Sequence, residues 1–282
     1  MKNYSCFLCM SIIFFSFFSF SKDHYVLGGR WAGLFSNIFG VVSHLIWCEE
    51  KGLDLVVHWN RAPAYYKVSG TYNGSDNIWE YYFYPVSEAQ YNSGDVIHED
   101  YVTPDGQAIP CGYIGYEQNF SYEYRSFINS YIEKYIHIKP QISAKIDDFY
   151  HKNMQGKKTV GIHVRRTDHN EAPRIPLKQY IEEASKHKGA QFLVATDDQR
   201  VLDELKKKLP GKVIYYDSYR SLDDTGLHIW NQQVKNRALM GEQVLIETQL
   251  LSKCDHFIHG VSNVALAALF FNPHLQHSYL KA

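Results

Sequence analysis

The sequence lacks the cysteine content of a disulfide-stabilised scaffold. Two of its five cysteines, Cys6 and Cys9, lie in an apolar segment at the N-terminus. Only Cys48, Cys111 and Cys254 remain, so at most one disulfide can form and one thiol is left over. A chain of 282 residues, 45% of them hydrophobic, is instead long enough to build one large or two modest hydrophobic cores.

An excess of either charge is also missing. Lysine and arginine together number 29 and aspartate and glutamate number 30, so the formal net charge is −1. Binding to nucleic acid or to an anionic membrane surface usually requires a basic excess, and we therefore expect no nucleic-acid partner. Aromatic residues, by contrast, are abundant at 15%, with 22 tyrosines among them.

Long apolar runs are confined to the N-terminus. An apolar and serine-rich stretch over residues 6–20 follows Lys2, and its 15-residue length suits a signal peptide better than a membrane span. The cleavage region at 19–22 lacks the small-x-small pattern, so an uncleaved signal-anchor is the alternative. We expect residues 1–22 to direct the protein into the secretory pathway or to export it, to a Golgi-like lumen, the periplasm or the medium. This segment would then provide the only membrane contact.

The first half of the remaining sequence begins with a strand, a glycine turn, a helix and a second strand. The strand at 25–29 ends in two glycines, apolar residues recur at helical spacing over 34–51, and residues 53–59 form a buried-strand pattern. This unit predicts a parallel α/β arrangement. Two further helices are predicted at 122–135 and 141–151, whereas the aromatic-rich stretch at 61–121 gives no clear pattern.

The second half alternates strands and helices more regularly. Strands are predicted at 159–164, 191–196, 213–216 and 256–259, and the helices between and after them at 177–187, 198–209, 240–252 and 263–271. This alternation is typical of a Rossmann-like parallel sheet. We therefore predict two Rossmann-like lobes, an N-terminal lobe over 23–154 and a C-terminal lobe over 155–282.

Two arginines follow the predicted strand at 159–164, at the end where such sheets bind ligands. Side chains alternate along a strand, so His163 and Arg165 share one face and Arg166 lies on the other. An arginine in this position can bind a phosphate through two parallel hydrogen bonds, while Arg166 could pair with Asp168. The alternative is a surface network of salt bridges without a ligand.

A second candidate phosphate site follows the last predicted strand. Residues 260–263, Gly-Val-Ser-Asn, open a small-residue helix whose N-terminal N–H groups and partial positive charge suit a pyrophosphate. The alternative is that Ser262 or Asn263 only caps the helix. Together with Arg165 on a neighbouring strand, the helix end predicts a phosphate clamp with two sides.

Two pairs of acidic residues, at 197–198 and 223–224, could suggest a divalent-metal site. We favour a capping role for Asp197 or Asp198, because a helix begins directly after them. Residues 223–226 are typical of a turn near the mouth of the site.

Residues 163–168, His-Val-Arg-Arg-Thr-Asp, resemble the His-x-Arg-Arg-x-Asp signature of fucosyltransferases. Residues 193–198 look like the second motif, and residues 247–265 like the third motif, of the alpha-1,6-fucosyltransferases and their rhizobial nodulation relatives. Residues 226–228 resemble a loop of that family, and residues 28–44 and 53–57 are also similar. Three motifs in order are far more specific than any one of them.

The resemblance implies a GT-B-like α/β fold whose C-terminal lobe binds the sugar nucleotide GDP-fucose, without a metal cofactor. The partner would be an oligosaccharide or glycoprotein glycan that accepts fucose on the N-terminal side. Arg165 would bind the pyrophosphate, His163 and Glu247 the nucleoside, and Ser262 with Asn263 a phosphate. Glu247 stands where relatives often have aspartate. The full predicted substrate-binding set is His163, Arg165, Arg166, Asp198, His228, Glu247, Ser262 and Asn263.

The implied reaction is a single displacement that inverts the anomeric carbon, with an alpha-1,6 linkage favoured. Arg165 and Glu171 are the predicted catalytic residues, Glu171 as the base that takes the acceptor's proton. Asp168 is the alternative base, and Glu171 could equally be a solvated loop carboxylate. Aromatic residues of the first lobe could stack on sugar rings or could simply form its core: Tyr65, Tyr66, Tyr72, Trp79, Tyr81 and Tyr82.

Other functions compete with this interpretation. The linkage could be alpha-1,2 or to a protein hydroxyl, and the donor could be another GDP- or UDP-sugar. The chain could also be a non-catalytic nucleotide- or glycan-binding protein, or a phosphate-binding protein of the Rossmann type.

Overall fold

The structure is a computed structural model that describes residues 23–60, 64–65, 70–110, 115–167, 174–227 and 234–282. Several predictions from the sequence lie outside these residues: the leader at 1–22, Cys111, Asp168, Glu171 and His228. Within the part of the chain that is described, no helix combines the length and the apolar character needed to span a membrane.

The first lobe contains a small parallel sheet with the strand order β2-β1-β3. Its strands are β1 (His24–Leu27), β2 (Asp54–Val57) and β3 (Ile97–His98). Helix α1 (Leu34–Lys51) connects β1 to β2 and ends at Gly52, whose φ of 69° is a left-handed conformation that favours glycine. Two further helices complete this half of the chain, α2 (Tyr122–Tyr135) and α3 (Pro140–Asn153).

The second lobe contains a five-stranded sheet in which every neighbouring pair is parallel. Its strands are β4 (Thr159–Val164), β5 (Gln191–Thr196), β6 (Val213–Ile214), β7 (His256–His259) and β8 (His277–Tyr279). The connecting helices are α4 (Leu177–Ala184), α5 (Gln199–Lys208), α6 (Arg237–Ser252) and α7 (Asn263–Phe271). Every residue of β4 and β5 is buried. Burial on both faces explains why these strands are mostly apolar in sequence.

The strand order β6-β5-β4-β7-β8 creates a switch point beside β4. The chain runs outward from β4 through β5 to β6, and then crosses to the other side of β4 for β7 and β8. At such a point the connections leave in opposite directions, which opens a crevice at the carboxyl ends of the strands. Arg165 follows β4 and Ser262 follows β7, so the topology brings the two predicted phosphate-binding elements to this crevice.

The predicted α/β fold with two parallel sheets is confirmed, although the exact division at residue 155 stays a prediction. The bounds of α1, α2, β4, β5, β7 and α7 agree with the sequence pattern. The sequence did not predict β3 and β8, because strands of two or three residues are too short to show a period.

The aromatic residues of the first lobe are mostly core rather than sugar-stacking surface. Trp79, Tyr81 and Tyr82 are 0–3% exposed, and Trp79 packs edge-on against Trp59 with the ring centroids 5.1 Å apart. The stacking interpretation is therefore wrong for these three residues. The Tyr65 hydroxyl instead accepts a hydrogen bond from the backbone N–H of Leu34 at 2.7 Å.

The two lobes share one continuous hydrophobic core. Helix α6 of the second lobe packs against first-lobe tyrosines, and Tyr82 donates a hydrogen bond to the carbonyl of Ala238 at 3.0 Å. Gly241 lies at the closest approach, because a Cβ atom there would meet the Tyr82 hydroxyl and lie 2.9 Å from the Tyr65 ring. The absence of a side chain at Gly241 thus allows α6 to contact the first lobe.

We expect Gly241→Ala to lower the free energy of unfolding by about 1–3 kcal/mol, the usual cost of overpacking a core. Gly94→Ala is the matched control, since nothing lies within 4 Å of a Cβ atom at that position. Its effect should stay within about 0.5 kcal/mol. Urea denaturation of both variants measures the difference, and equal stabilities would contradict the close packing of α6 on the tyrosines.

Candidate functional site

A cavity of about 400 Å³ lies at the carboxyl ends of β4, β5 and β7 and is closed on its other side by the first lobe. The second lobe contributes the ends of these strands, one face of α6 and the first residues of α7. The first lobe contributes residues 31–36, which form the turn after β1 and the first turn of α1, together with Tyr65. Both halves of the chain therefore build the cavity.

Arg165 is fixed in the cavity wall by Asp197. The two residues follow β4 and β5, whose register pairs Val164 with Thr196 and so places the next residues side by side. The Arg165 guanidinium donates to a carboxylate oxygen of Asp197. The Arg165 side chain is 21% exposed and lines the cavity, whereas that of Asp197 is 9% exposed. The arginine is thus positioned at the cavity surface by a mostly buried acid.

The Asp197 carboxylate also organises the loop after β4. It accepts hydrogen bonds from the backbone N–H groups of Arg166 at 2.9 Å and Thr167 at 3.1 Å, and from the Thr167 hydroxyl at 2.7 Å. Burial by itself would raise the pKa of Asp197, but Arg165 and these donors hold it below the ordinary value. Asp197 therefore stays ionised at neutral pH, as its role as an anchor requires.

The prediction that Asp197 or Asp198 caps the following helix is confirmed, and the capping residue is Asp198. Asp198 accepts a hydrogen bond from the backbone N–H of Arg200 at 2.8 Å at the start of α5. The Arg200 guanidinium contacts Asp198 at 2.6 Å and Asp224 at 2.8 Å. Asp198 is not among the residues that line the cavity, and its predicted part in substrate binding stays a prediction.

Arg166 lies on the opposite side from Arg165, as the strand alternation predicts. Its guanidinium donates to the carbonyl of Ile175 at 2.5 Å, and it does not line the cavity. Asp168, the partner expected for Arg166, lies outside the described residues. Arg166 therefore holds the backbone at Ile175 in place. A direct contact between Arg166 and a substrate stays a prediction.

Ser262 caps α7, and a contact between Ser262 and a phosphate stays a prediction. Its hydroxyl accepts from the backbone N–H of Val264 at 3.2 Å and so caps α7. The same hydroxyl lies 2.9 Å from Nε2 of His163, because β7 and β4 are neighbours in the sheet. Tyr116 fixes the backbone of Ser262 from both sides, donating to its carbonyl at 2.9 Å and accepting from its N–H at 3.1 Å.

Two helix N-termini face the cavity. Asn263 begins α7 and Leu34 begins α1, and both line the cavity. Each helix start carries partial positive charge, which adds to the charge of Arg165 and favours an anion between them. Of the first-lobe residues predicted as possible sugar contacts, Tyr65 lines the cavity. The contribution of the first turn of α1 was not predicted, although the glycine turn and helix at residues 28–51 were the signal for it.

Glu247 lines the cavity from α6 and is paired with Arg220. The Arg220 guanidinium donates to Oε1 of Glu247 at 3.0 Å, and the two side chains are 3% and 12% exposed. Burial raises the pKa of Glu247 to about 7, even though Arg220 acts in the opposite direction. The cavity therefore contains a carboxyl group that changes its charge near neutral pH.

The acid pairs do not form a metal site among the described residues. Asp197 binds Arg165, and Asp198 and Asp224 bind Arg200. Asp223 accepts from the Ser221 hydroxyl at 2.9 Å and from the backbone N–H of Thr225 at 2.8 Å. These carboxylates are used in ion pairs and turns. The positive charge at the cavity comes from Arg165 and the helix ends.

Comparison with known proteins gives relatives in both sequence and structure. No family model matches the chain. Nodulation protein Z of Sinorhizobium fredii is 27% identical over 138 residues, which cover 43% of this chain and 42% of that protein. The matched segment thus spans about two fifths of the length of this curated relative.

Solved structures of fucosyltransferases resemble this one. The NodZ alpha-1,6-fucosyltransferase co-crystallised with GDP superposes with a TM-score of 0.55 at 16% identity, covering 89% of this chain and 93% of that one. POFUT1 in complex with GDP-fucose gives a TM-score of 0.51 at 12% identity, covering 93% and 99%. At these identities the likeness shows the fold.

The fold and the cavity together define a two-lobed α/β protein of the GT-B type with a cavity at the switch point of its second sheet. More particularly, the chain has the fold of the fucosyltransferase superfamily. The predicted resemblance to fucosyltransferases is confirmed at the level of the fold, and nodulation protein Z aligns with part of the chain.

The raised pKa of Glu247 predicts a measurable pH dependence of stability. In the unfolded chain the carboxyl ionises near its ordinary value of 4.5, whereas in the folded protein it keeps its proton up to about pH 7. The folded state therefore binds more protons between these values, and stability falls as pH rises, by up to about 1.4 kcal/mol per pH unit. Above pH 7 this contribution levels off.

Glu247→Gln removes this titration while keeping an oxygen that can accept from Arg220. We expect the free energy of unfolding of the native protein, measured relative to this variant, to fall between pH 5 and pH 7. Urea denaturation at half-unit pH intervals gives this difference, in which the other titrating groups cancel. A difference that is constant or rises with pH would show that Glu247 is ionised throughout.

Proposed function

We propose that this protein is a glycosyltransferase that transfers fucose from GDP-fucose to a hydroxyl group of a glycan. The observation that carries the proposal is the position of Arg165. This arginine of the fucosyltransferase-like motif is anchored by Asp197 at the carboxyl end of β4 and faces a cavity between the lobes. The N-terminus of α7 lines the same cavity.

The cavity suits a nucleoside diphosphate. Its pyrophosphate would lie between Arg165 and the first residues of α7, where a guanidinium, free helix N–H groups and a helix dipole favour negative charge. His163, Ser262 and Asn263 line the same region. Glu247 lies deeper on α6, and its carboxylate can accept hydrogen bonds from the N1–H and amino groups of guanine. Uracil lacks this pair of donors, so this side chain favours a GDP-sugar.

Arg165 would contribute most in the transition state. Displacement at the anomeric carbon passes through an oxocarbenium-like state while negative charge develops on the departing GDP. A guanidinium that Asp197 already holds in place needs little reorganisation as this charge appears. It therefore stabilises the transition state more than the bound donor. No metal ion is expected in this step, because Arg165 and the helix ends would supply the positive charge.

The proposals about the acceptor rest on fewer observations than those about the donor. We propose Glu171 as the base that removes the acceptor's proton, with Asp168 as the alternative, since both follow the two arginines in sequence. Trp31 stands at the cavity on the first-lobe side and is 51% exposed, which suits an aromatic contact with a sugar ring. An alpha-1,6 linkage is favoured by the likeness of the motifs to those enzymes, and alpha-1,2 or protein O-fucosylation is the alternative.

The cellular setting is a proposal from the sequence. The apolar segment at residues 1–22 favours entry into a secretory pathway or export, where glycan acceptors are exposed. Membrane attachment would require that this segment is retained.

Donor specificity is tested first with nucleotides and then with turnover. We expect GDP to raise the melting temperature of the protein and UDP to do so much less, because only a ligand that binds the folded state stabilises it. GDP-fucose should then label at least one acceptor from a panel of chitooligosaccharides, N-glycans and galactosides, and the product defines the linkage. Stabilisation by GDP without any transfer would favour the non-catalytic alternative, and no effect of GDP would exclude the proposed donor site.

Arg165→Ala should lower turnover about 10²–10³-fold, which is the typical effect of removing a hydrogen-bond donor that stabilises the transition state. Arg200→Ala is the matched control, because its guanidinium pairs with Asp198 and Asp224 and does not line the cavity. This control should keep near-normal rates. If Arg165→Ala had the same near-normal turnover as the control, Arg165 would have no role in the reaction.

A further inference from the structure

A cluster of metal-binding side chains lies at the edge of the second sheet opposite the cavity. His256 is the first residue of β7, whereas the cavity is at the carboxyl ends of the strands. Glu183 and His187 come from the last turn of α4 and the turn that follows it. Each of the three residues offers one ligand atom, and these atoms all lie within 4.8 Å of one another.

The local chain geometry explains why the cluster forms. Glu183 and His187 are four residues apart, and the turns continue past the end of α4 through a hydrogen bond from the N–H of His187 to the carbonyl of Ala184 at 3.0 Å. Both side chains therefore project from the same side. Helix α4 packs on β7, which brings the His187 ring to 4.4 Å from the His256 ring, measured between centroids.

Ser278 on β8 connects two members of the cluster. Its hydroxyl donates to Oε1 of Glu183 at 2.8 Å and lies 2.8 Å from Nε2 of His256. A carboxylate oxygen and an imidazole nitrogen thus converge on one small group. The three candidate ligands come from α4 and β7, so a single ion bound to them would join the helix to the sheet.

We propose that Glu183, His187 and His256 bind a zinc ion that joins α4 to β7. Two imidazoles and one carboxylate are a zinc ligand set, and water completes the four-coordinate shell when the protein supplies three ligands. In such a shell the ligand atoms are about 3.4 Å apart. Zinc binding therefore requires side-chain rotations that bring the three ligand atoms closer together than their present spacing of up to 4.8 Å. All three residues are half-buried, which leaves the ion a path from solvent.

Some groups around the cluster favour zinc binding and others oppose it. Burial lowers the pKa of His187 and His256, so both rings are neutral at neutral pH, the form that binds metal. Lys158 and Lys186 also face the histidines, and the Lys186 ammonium contacts the Glu183 carboxylate at 2.5 Å. Lys186 is 69% exposed, so its side chain can move into solvent when zinc takes its place.

The test uses protein freed of metal with EDTA and then titrated with zinc chloride. We expect one zinc ion per chain in competition with a chromophoric chelator. At a zinc concentration about 100-fold above Kd, the melting temperature should rise by about 5 °C or more. His187→Ala and the nearly isosteric Glu183→Gln should each abolish this rise. If His187→Ala does not fold, Glu183→Gln still tests whether the cluster binds zinc.

Two further variants make the assignment specific. Lys186→Met should bind zinc several-fold more tightly, because it removes the cation that competes for Glu183. His151→Ala, which alters an exposed histidine on α3 that contacts Gln155, should bind zinc as the native protein does. Zinc binding that His187→Ala and Glu183→Gln leave unchanged would overturn the proposal, as would a failure of zinc to bind the native protein.

Discussion

The Asp197 carboxylate accepts hydrogen bonds from the Arg165 guanidinium, from two successive backbone N–H groups and from the Thr167 hydroxyl. This one acid determines both the direction of the arginine and the path of the loop after β4. A buried carboxylate is stable only when donors compensate for its lost hydration, and here the donors are the elements that the site needs. The geometry of the cavity wall therefore depends on the pairing of β4 with β5, which brings Asp197 next to Arg165.

The contact between the lobes positions the rest of the cavity. Helix α6 contributes Glu247 to the site and, on its other side, inserts Glu242 among first-lobe residues. The Glu242 side chain is 1% exposed, accepts a hydrogen bond from the Tyr72 hydroxyl at 2.8 Å and pairs with Lys145. Together with the close approach at Gly241, these contacts fix α6 relative to the first lobe. The first turns of α1 and α7 both line the cavity.

The elements that the sequence predicted well are those with strong local patterns. Helix α1 has apolar residues at helical spacing over 18 residues, and β4 and β5 are short, mostly apolar segments. Short strands such as β3 and β8 have no such pattern, because they are defined by hydrogen bonds to strands distant in the chain. The aromatic residues near Trp79 were equally ambiguous, since the same side chains suit a sugar surface or a core.

The sequence by itself determined the α/β class, the placement of Arg165 and Arg166 on opposite sides of a strand and the motif that resembles fucosyltransferases. These features follow from local periodicity and from the order of residues along the chain. Only the tertiary structure decided that Asp197 anchors the arginine while Asp198 caps a helix, that Ser262 contacts His163, and that the first lobe closes the site. Such roles depend on which strands are neighbours and on what is buried, and neither is recorded in the local sequence.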